Sequence, residues 1–534
     1  MSTSFNAVHH LVDRHVEAGA GDRTAIRCEG VSTSYAQLRD LSREVAGGLR
    51  DLAVRRGDRV VFVCSDRLEL VAGILGALRH GAVAVPVSTM LTGEELARVV
   101  VDSGARVLVA TPEYADSVSV AVAAAGELDY VVTVADAAVQ PPAHVTLKAW
   151  DEVVAAGRWQ AGDAPDATTQ ADSPALWLYT SGTTGTPKAA MHRHANLRAV
   201  CDTYARDVLA VGPDDVFFSV AKLFFAYGLG NSLLFPLSVG ATVVLDPRRP
   251  SPQLVAERMA ADEPTLFFAG PTFFAALLSA DLPADTFRSV RLCASAGEAL
   301  PATLYRRFTG HFGVEVLDGI GSTEALHIFL SNRRGEVRPG TSGTTVAGYD
   351  LDIRDDDGRS VPDGEPGGLF VRGASLATGY WCRTDASREV FQGEWLRTGD
   401  TYVRSADGYY TCLGRSNDLL KAGGIWVSPA EVEERLLQHP DVAEAAVVGV
   451  PDRNELDKPV AFVVARPGSE LSPADLVAWC REGLAAFKRP RAVVVVAELP
   501  KTATGKVQRF RLRERAGVGL LDAPVDATAP VASL

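Results

Sequence analysis

Apolar runs alternate with amphipathic stretches along the first part of the chain. Residues 60–64 and 82–87 are short apolar runs that predict buried strands, and residues 68–78 between them predict a helix that ends before Gly81. A further apolar run at 106–110 predicts another strand. Strands that alternate with helices at this spacing are typical of parallel α/β units.

The middle of the chain repeats this alternation and then changes character. Strands are predicted at residues 216–220, 241–245, 265–269 and 290–294, with helical stretches between them. Residues 343–410 instead carry short apolar runs divided by Asp-Gly turns, which indicates a β-rich subdomain.

The character of the sequence changes again near residue 414, and the remainder predicts a small α+β domain. Its predicted elements are helices at 429–438 and 473–484 and strands at 445–450, 460–464 and 493–496. The tail after about residue 517 is rich in Ala, Pro and Val without periodicity and is predicted to be disordered. Residues 136–172, apart from a short segment near Trp150, are predicted to form a peripheral connection.

The predicted fold class is therefore α/β, with two domains. The first, residues 1–414, would hold two α/β subdomains and the β-rich subdomain. The second, residues 415–534, would hold the small α+β unit. A chain of 534 residues agrees with this division, because single hydrophobic cores stop growing near ~250–300 residues.

Composition narrows the classes of protein that fit. The net charge of −13 and the pI of about 5.3 argue against a nucleic-acid binder, which usually carries a basic face. Seven cysteines without a C-x-x-C pair indicate reduced thiols. No signal peptide or membrane-length apolar run is visible, so a cytoplasmic protein without membrane contact is expected. His192 and His194 lack Cys or acidic neighbours at ligand spacing, which disfavours a metal site there.

A loop rich in Ser, Thr and Gly follows the apolar run at 175–178. Residues 179–188 read Tyr-Thr-Ser-Gly-Thr-Thr-Gly-Thr-Pro-Lys. Its glycines allow close approach to a ligand, and its hydroxyls, amides and lysine suit a polyphosphate. It is not a Walker A loop, because two residues separate the second glycine from Lys188. Composition alone favours an ordinary surface loop.

The order of these residues, however, resembles the phosphate-binding loop of the adenylate-forming superfamily, which comprises acyl-CoA synthetases, carrier-loading adenylation domains and luciferases. The resemblance extends from about residue 20 to residue 515. The ATP-binding residues that it implies are Thr180, Ser181, Gly182, Thr183, Thr184, Gly185, Lys188, Gly297, Glu298, Asp318, Gly319, Ile320, Thr323, Asp400, Arg415 and Lys506.

Three motifs carry the implied catalytic roles. Residues 318–324 resemble the second core motif, in which Glu324 holds Mg²⁺ and Thr323 contacts phosphate; alone, they fit a capped turn before a helix. Residues 397–400 resemble the ribose-binding motif, since a carboxylate can accept from both hydroxyls of a diol; alone, they fit a Gly-Asp turn. Residues 500–506 resemble the last motif, in which Lys506 stabilises the charge of the adenylation transition state. Alone, Lys506 fits a solvated surface lysine.

The small domain is implied to be mobile. The hinge residue is Asn417, where the family commonly has Asp or Lys, so the energetics of rotation are open. Lys421, Gly423, Gly424 and Trp426 resemble the loop that lines the pantetheine tunnel after rotation; alone, they fit a Gly-Gly turn. Lys506 would serve the first half-reaction and this loop the second.

Residues 222–231 resemble the acyl-pocket segment of the benzoate–CoA ligase subgroup. The implied aryl-acid-binding residues are Phe225, Ala226, Tyr227, Gly321, His327, Ile328 and Lys506. Ala and Gly would leave a flat slot for a ring, while His327 would hydrogen-bond near the carboxylate. Without the resemblance, the aromatic residues and His327 fit an ordinary core.

The resemblance implies an ATP-dependent aryl acid ligase, AMP-forming and of the benzoate–CoA ligase type. It would make an aryl-adenylate and then a thioester with a phosphopantetheine thiol, using ATP, Mg²⁺ and coenzyme A. A carrier protein bearing the same arm remains an alternative acceptor, and a homodimer remains open. Two rival classes are a luciferase-like oxygenase and a non-catalytic ligand-binding homologue. The pocket argues against the first, and intact Lys188, Glu324, Asp400 and Lys506 argue against the second.

Overall fold

The computed structural model describes residues 4–135, 138–160, 168–181, 187–415, 420–422, 425–427, 429–451, 457–484, 488–501 and 507–516. Within these ranges, five β-sheets account for the strands. None of the helices within these ranges is long and apolar enough to cross a membrane.

The first sheet has seven strands and is built from residues 59–193. The chain starts with a hairpin of β1 (Thr24–Cys28) and β2 (Val31–Ser34), which belongs to the second sheet. The first sheet then contains β3 (Arg59–Val63), β4 (Val83–Pro86), β5 (Val107–Ala110), β6 (Tyr130–Thr133), β7 (Thr146–Ala149), β8 (Pro174–Ser181) and β9 (Pro187–Arg193). Its order is β7-β6-β5-β3-β4-β8-β9, and only β8 and β9 are antiparallel.

Helices cover both faces of this sheet. They are α2 (Tyr35–Asp51), α3 (Leu68–His80), α4 (Gly93–Ser103), α5 (Ala115–Ala124) and α6 (Trp150–Gln160). A π-helical turn at His9–Asp13 and α1 (Arg14–Glu17) precede β1, and a 3₁₀ turn at Pro112–Tyr114 precedes α5. Alternate residues of β3 face opposite cores: Val60 and Phe62 on one side, Val61 and Val63 on the other. Both faces are apolar because parallel strands are covered on both sides.

Local sequence explains where several of these helices begin and end. Ser34 Oγ accepts from Gln37 N while the Gln37 side chain accepts from Ser34 N, which is a capping box at the start of α2. Thr92 and Glu95 do the same for α4. The predicted end of α3 before Gly81 is confirmed.

The predicted connection over residues 136–172 holds more regular structure than the short exception near Trp150, namely β7 and the whole of α6. β7 is the edge strand of the seven-stranded sheet, and α6 packs against α2. Trp150, Val153 and Val154 of α6 are buried. The helix is short, and the Ala-, Pro-, Asp- and Thr-rich sequence on both sides of it gives no periodic signal.

The second sheet has nine strands. Besides β1 and β2 it contains β10 (Val216–Ser219), β11 (Thr242–Leu245), β12 (Leu266–Ala269), β13 (Leu292–Ser295), β14 (Val316–Gly321), β15 (Ile328–Ser331) and β16 (Thr344–Thr345). The order is β16-β15-β14-β13-β12-β10-β11-β1-β2, parallel from β14 to β1. The four strands predicted in this part of the chain are confirmed.

The helices of this subdomain connect its parallel strands. They are α7 (His194–Val200), α8 (Ala226–Leu229), α9 (Phe235–Val239), α10 (Pro252–Asp262), α11 (Pro271–Ser279) and α12 (Ala302–Phe312), with π-helical segments at Cys201–Val208 and Gly230–Leu234 and a 3₁₀ turn at Ala284–Phe287.

The β-rich subdomain and the small C-terminal domain complete the fold. The first contains β17 (Tyr349–Arg354), β18 (Gly367–Gly373), α13 (Thr384–Val390), β19 (Phe391–Gln392), β20 (Trp395–Arg404) and β21 (Tyr410–Arg415). The second contains β22 (Leu420–Ala422), β23 (Ile425–Val427), α14 (Pro429–Leu437), β24 (Val442–Pro451), β25 (Asp457–Ala465), α15 (Pro473–Gly483), β26 (Ala492–Val495) and α16 (Arg509–Ala516). The predicted fold class, a mixed α/β chain with a small C-terminal domain, is confirmed.

Candidate active site

The predicted phosphate-binding loop joins the antiparallel strands β8 and β9. Thr180 of β8 is paired with Lys188 of β9, so both flanks of the loop are fixed by the sheet. The loop residues Gly182, Thr183, Thr184 and Gly185 and the side chain of Ser181 lie outside the described residues. Lys188 Nζ lies 5.6 Å from the centre of the Tyr380 ring.

Residues 377–381, which we call the strap, run beside β9 and pair with it through an isolated bridge between Tyr380 and Ala190. Trp381 N donates to Ala189 O at 3.0 Å, and Met191 N donates to Gly379 O at 3.0 Å. On its other side, Ala377 N donates to Glu324 O at 2.8 Å. The strap therefore connects the phosphate-loop hairpin directly to the predicted metal ligand.

Tyr380 of the strap also contacts the Glu324 side chain. Its phenol Oη donates to Glu324 Oε1 at 2.6 Å, and Tyr380 itself is buried. One ring thus faces the Lys188 ammonium while its hydroxyl holds the Glu324 carboxylate. No local sequence pattern around Tyr380 signals this role.

Four of the predicted ATP-binding residues lie at the carboxyl ends of two neighbouring parallel strands. Ser295 at the end of β13 is paired with Asp318 of β14, so Gly297 and Glu298 follow β13 beside Gly319 and Ile320. This edge of a parallel sheet is where open α/β folds bind ligands. Thr272 Oγ1 donates to Glu298 Oε2 at 3.3 Å.

Asp318 is buried beneath this edge. Its Oδ2 accepts from Leu300 N at 3.2 Å. Burial raises the pKa of Asp318 to about 8, so its carboxyl group is protonated at neutral pH. The side chain therefore stabilises the segment after β13 by its hydrogen bond with Leu300 N. As a neutral group it does not repel a bound polyphosphate.

Residues 322–327 form a turn that leads into β15 and not into a helix. Ser322 Oγ accepts from Ala325 N at 3.1 Å, which is the expected cap of a turn. His192 Nε2 donates to Thr323 O at 2.8 Å and fixes the same turn from below. Taken alone, this motif fitted a capped turn before a helix, but the structure has a strand after the turn. A helix cannot continue through Leu326, which adopts a left-handed conformation with φ of 67°.

His192 and His194 are both structural residues. Each is buried, and burial lowers the pKa of each to about 4, so both rings are neutral at physiological pH. His194 Nδ1 accepts from Ala7 N at 3.1 Å. Their ring nitrogens thus orient backbone of the N-terminus and of the Glu324 turn.

Asp400 lies within β20, and the predicted Gly-Asp turn is therefore part of a strand. Thr398 Oγ1 donates to Leu369 O at 3.0 Å and accepts from Asp400 N at 3.1 Å. Arg415 of β21 is paired with Asp400 across the ladder. Two predicted ATP-binding positions, Asp400 and Arg415, are thus brought opposite each other.

The predicted aryl pocket combines α8 with the junction of β14 and β15. Tyr227 Oη donates to Ala294 O at 2.9 Å, which anchors the phenol to the end of β13. Gly321 is paired with Ile328, and a Cβ atom at Gly321 would lie 2.3 Å from His327 O. Only glycine allows the two strands to approach this closely.

His327 lies behind the pocket. Its Nε2 donates to Tyr227 O at 3.3 Å, and its ring packs against Phe235 and Tyr204 at centroid distances of 4.5 and 5.3 Å. Burial lowers the pKa of His327 to about 3, so the imidazole is neutral. In this arrangement His327 orients the backbone of Tyr227, while the predicted hydrogen bond near the substrate carboxylate stays a prediction.

Several predicted residues of the small domain lie outside the described part of the chain. These are Lys506, Asn417, Gly423 and Gly424. For Arg415, Lys421 and Trp426 the structure describes the backbone, and Lys421 is paired with Trp426 across the β22–β23 hairpin. The predicted hinge and tunnel roles stay predictions, as does the predicted disorder after residue 517.

The residues around Glu324 fit a magnesium ion bound mainly through substrate phosphates. Within the described ranges, no three His, Cys, Asp or Glu side chains cluster as an all-protein cage. Mg²⁺ commonly takes one or two carboxylates and completes its shell with phosphate oxygens and water. Glu324, fixed at one oxygen by Tyr380 and adjacent to the phosphate-loop hairpin, supplies such a carboxylate.

A separate cavity of about 680 Å³ lies at the edge of the nine-stranded sheet, beside the β1–β2 hairpin. Its arginines are paired with its carboxylates: Arg248 with Asp246 at 2.8 Å and Arg258 with Asp262 at 3.2 Å. This pairing leaves little excess charge for a polyanion, so we assign no part of the predicted site to this cavity.

These features define a class of protein. Residues 12–381 match the family described as AMP-binding enzyme, and residues 431–506 match the family described as AMP-binding enzyme C-terminal domain. The chain belongs to the AMP-binding enzyme family. The predicted adenylate-forming superfamily and the predicted class of AMP-forming acid–thiol ligase are confirmed.

The chain is similar to individual members over nearly its whole length. A benzoate–CoA ligase of Thauera aromatica is 42% identical over 515 residues, which are 95% of this chain and 96% of that protein. A solved benzoate CoA ligase from Burkholderia xenovorans LB400 has a TM-score of 0.86 at 43% identity, covering 95% of this chain and 100% of that one. The anthranilate CoA ligase AuaEII in complex with anthranoyl-AMP has a TM-score of 0.90 at 38% identity, covering 97% and 99%.

Proposed function

We propose that this chain is an aryl acid–CoA ligase of the benzoate type. It joins an aromatic carboxylate to AMP with release of pyrophosphate, and then transfers the aryl group to the thiol of CoA with release of AMP. The observation that carries the aryl specificity is the pocket wall at α8, where Tyr227 is fixed at its phenol by Ala294 and at its carbonyl by His327. A rigid ring beside the glycine strand junction suits a flat aromatic acid better than a long aliphatic chain.

In the first half-reaction, a carboxylate oxygen of the acid attacks the α-phosphorus of ATP and pyrophosphate leaves. Lys188 and the Thr180 edge of the hairpin bind the β- and γ-phosphates, and Asp400 with Arg415 binds the ribose. Glu324, held by Tyr380, is the carboxylate that would hold Mg²⁺, whose charge offsets that of the phosphate oxygens. Lys506 stabilises the charge at the reacting carboxylate and α-phosphate.

In the second half-reaction, the CoA sulfur attacks the aryl carbonyl carbon, the thiol proton leaves and AMP is released. We assign residues 1–414 to the larger domain and residues 415–534 to a domain that rotates about Asn417. Lys421, Gly423, Gly424 and Trp426 then line the path of the pantetheine arm. Neither an acyl carrier protein nor a second copy of the chain enters this proposal.

The test is a pyrophosphate-exchange assay over a panel of benzoate, hydroxybenzoates, aminobenzoates and medium-chain fatty acids. Exchange with the aromatic acids and little with the aliphatic ones is expected. Thioester formation is then followed with CoA and, in parallel, with a phosphopantetheinylated carrier protein, and CoA is expected to be the better acceptor.

Other outcomes would point to other functions. Efficient loading of the carrier protein with slow use of CoA would show that the carrier protein, and not CoA, is the acceptor. Oxygen consumption during turnover of an aryl acid would indicate an oxygenase. Absence of exchange with every acid would contradict the proposal and favour a ligand-binding protein.

A further inference from the structure

Asp66 is a buried carboxyl group between the first two sheets. It lies in the turn between β3 and α3 and is 3% exposed. Its Oδ1 and Oδ2 accept from the backbone N of Leu223 at 3.2 and 3.4 Å. Lys222 Nζ lies 4.0 Å from Oδ2. Both partners belong to the connection that follows β10 and leads into α8.

Asp66 has no role at the start of α3 that would explain its burial. The residue that precedes the helix is Arg67, and its side chain does not cap the helix. Burial is the largest effect on the carboxyl group and raises the pKa of Asp66 to about 6, while Lys222 and the Leu223 N–H oppose the rise. Burying a carboxyl group lowers the stability of the fold. The contacts of Asp66 with Lys222 and Leu223 therefore need a functional reason.

Lys222 extends the same connection to a third strand end. Its Nζ donates to Asp246 O at 2.7 Å and to Arg248 O at 3.0 Å, both just beyond β11. The turn formed by Lys222 and Leu223 is thereby tied to the end of β3 in one sheet and the end of β11 in the other.

This turn carries the proposed aryl pocket wall. Phe225 N donates to Lys222 O at 3.0 Å, and α8 begins at the next residue. A Cβ atom at Gly228 would lie 2.0 Å from Lys222 O, so the helix rests directly on the carbonyl of the turn. A shift of the turn would therefore move Ala226 and Tyr227 with it.

We propose that Asp66 is a positioning residue for the aryl acid. It holds the Leu223 N–H and the Lys222 ammonium, and through them sets the place of Ala226 and Tyr227 against the substrate ring. The inference rests on the proposed aryl acid ligase function. Asp66 does not touch the reacting atoms, and the nucleotide site lies on other strand ends.

The experiment compares Asp66→Ala with Asp66→Asn in the full-length chain. Asp66→Ala removes the acceptor for Leu223 N, and the KM for the aryl acid should rise by about 10–100-fold. The KM for ATP should stay within about twofold, since no ATP-site contact is lost. Asp66→Asn keeps an acceptor oxygen and should recover most of the acid affinity. If Asp66→Ala does not fold, Lys222→Met is used in its place. This variant should also raise the KM for the aryl acid.

Asp215→Ala is the matched control. Asp215 is a buried carboxylate at the opposite end of β10, where it accepts from Gly212 N at 2.9 Å and pairs with Arg291 at 2.7 Å. Its loss should lower thermal stability while leaving the ratio of the acid KM to the ATP KM unchanged. A purely structural role for Asp66 would make the two variants behave alike.

The inference is overturned if Asp66→Ala keeps the wild-type acid KM, or raises both KM values equally. A selective rise in the acid KM of Asp215→Ala would overturn it as well. A wild-type chain that activates no acid overturns the proposed function and the inference together. An active wild-type chain with an unaffected Asp66→Ala variant overturns the inference alone, so the two failures are distinguishable.

Discussion

At the scale of single residues, Tyr380 contacts two of the charged groups proposed to bind ATP and Mg²⁺. Its hydroxyl donates to Glu324 Oε1 at 2.6 Å, and its ring lies 5.6 Å from Lys188 Nζ. A hydrogen bond to a carboxylate of this kind fixes the direction of a metal ligand. If Glu324 holds the metal as proposed, Tyr380 is a positioning residue between the Lys188 ammonium and the Glu324 carboxylate.

Replacing Tyr380 by Phe should therefore weaken magnesium-dependent nucleotide binding. The ring under Lys188 is retained, but Glu324 loses its donor, so the Mg²⁺ concentration for half-maximal ATP binding should rise by about 10–100-fold. Calorimetric titration of ATP at several Mg²⁺ concentrations measures this without turnover. Tyr35→Phe is the control, since that buried phenol donates to Ala241 O at 2.7 Å, away from the site. Equal behaviour of the two variants would refute the role of Tyr380.

Asp318 provides a second prediction, on the pH dependence of stability. Its ordinary pKa of 3.8 is raised by burial to about 8 in the folded chain. Between about pH 4 and pH 8 the unfolded chain loses the proton while the folded chain keeps it, so stability falls as pH rises through this window. An asparagine side chain at this position does not titrate and would remove this pH dependence.

The melting temperature of Asp318→Asn relative to wild type should therefore increase from pH 5 to pH 8, by at least about 2 °C. Thermal unfolding followed by circular dichroism at the two pH values measures it. A difference that is the same at both pH values would show that the carboxyl group ionises freely in the folded chain.

Sequence patterns predicted the residue types of the site but not the contacts between them. Glu324, Asp400 and Lys188 follow from motifs whose residues are close in sequence. Tyr380 and Glu324 are separated by 56 positions, and Asp66 and Leu223 by 157. Such pairs depend on how sheets and loops pack, and hydrophobic periodicity reports only which face of an element is buried.

At the scale of elements, Arg79 joins the N-terminal turn to two helices, through a buried ion pair and a hydrogen bond. Arg79 of α3 binds Asp13 of the His9–Asp13 turn through both of its terminal nitrogens, at 2.7 and 3.0 Å. Arg79 Nε also donates to Ser42 Oγ of α2 at 3.2 Å. Arg79 is 1% exposed. Each of the two charges is therefore stabilised mainly by the other and not by water.

Removing one partner should be far more costly than removing both. Asp13→Ala leaves the buried guanidinium without its carboxylate and should destabilise the chain by about 3–5 kcal/mol, whereas Asp13→Leu with Arg79→Met should recover much of this. Urea unfolding midpoints measure both effects. Asp214→Ala, which breaks an exposed pair with Arg23, should cost no more than about 1 kcal/mol. A double variant as unstable as Asp13→Ala would contradict the argument.

Strands with uniform apolar runs were predictable, and two other kinds of element were not. β3, β4 and β5 are buried on both faces and are marked by their sequence alone. β1 and β2 mix polar and apolar residues, because the hairpin lies at an edge of its sheet. α6 is short, and the sequence on both sides of it gives no periodic signal.

At the scale of the whole molecule, the two half-reactions should depend on two different parts of the small domain. We expect Lys506→Ala to slow pyrophosphate exchange by at least about 10²–10³-fold while thioester formation from supplied benzoyl-adenylate survives, because the role proposed for Lys506 is confined to the adenylation transition state. Gly424→Trp should do the reverse by blocking the pantetheine path. Stopped-flow or quenched assays of each half-reaction measure the two rates.

Equal loss of both half-reactions in Lys506→Ala would contradict the assignment of Lys506 to adenylation and of the loop at residues 421–426 to thioester formation. A Gly424→Trp variant that still reacts rapidly with CoA would remove that loop from the thiol path.

The pairing of β1 with β11 has a consequence for biosynthesis. Ile26 is paired with Val243, so the N-terminal hairpin finds its neighbour over two hundred positions later in the chain. The seven-stranded sheet, by contrast, is complete once residue 193 has been made. At 5–20 residues per second, the ribosome needs roughly 10–40 s to supply β11 after the hairpin. During that interval the edge of the nascent hairpin that will pair with β11 is unpaired and open to association with other chains.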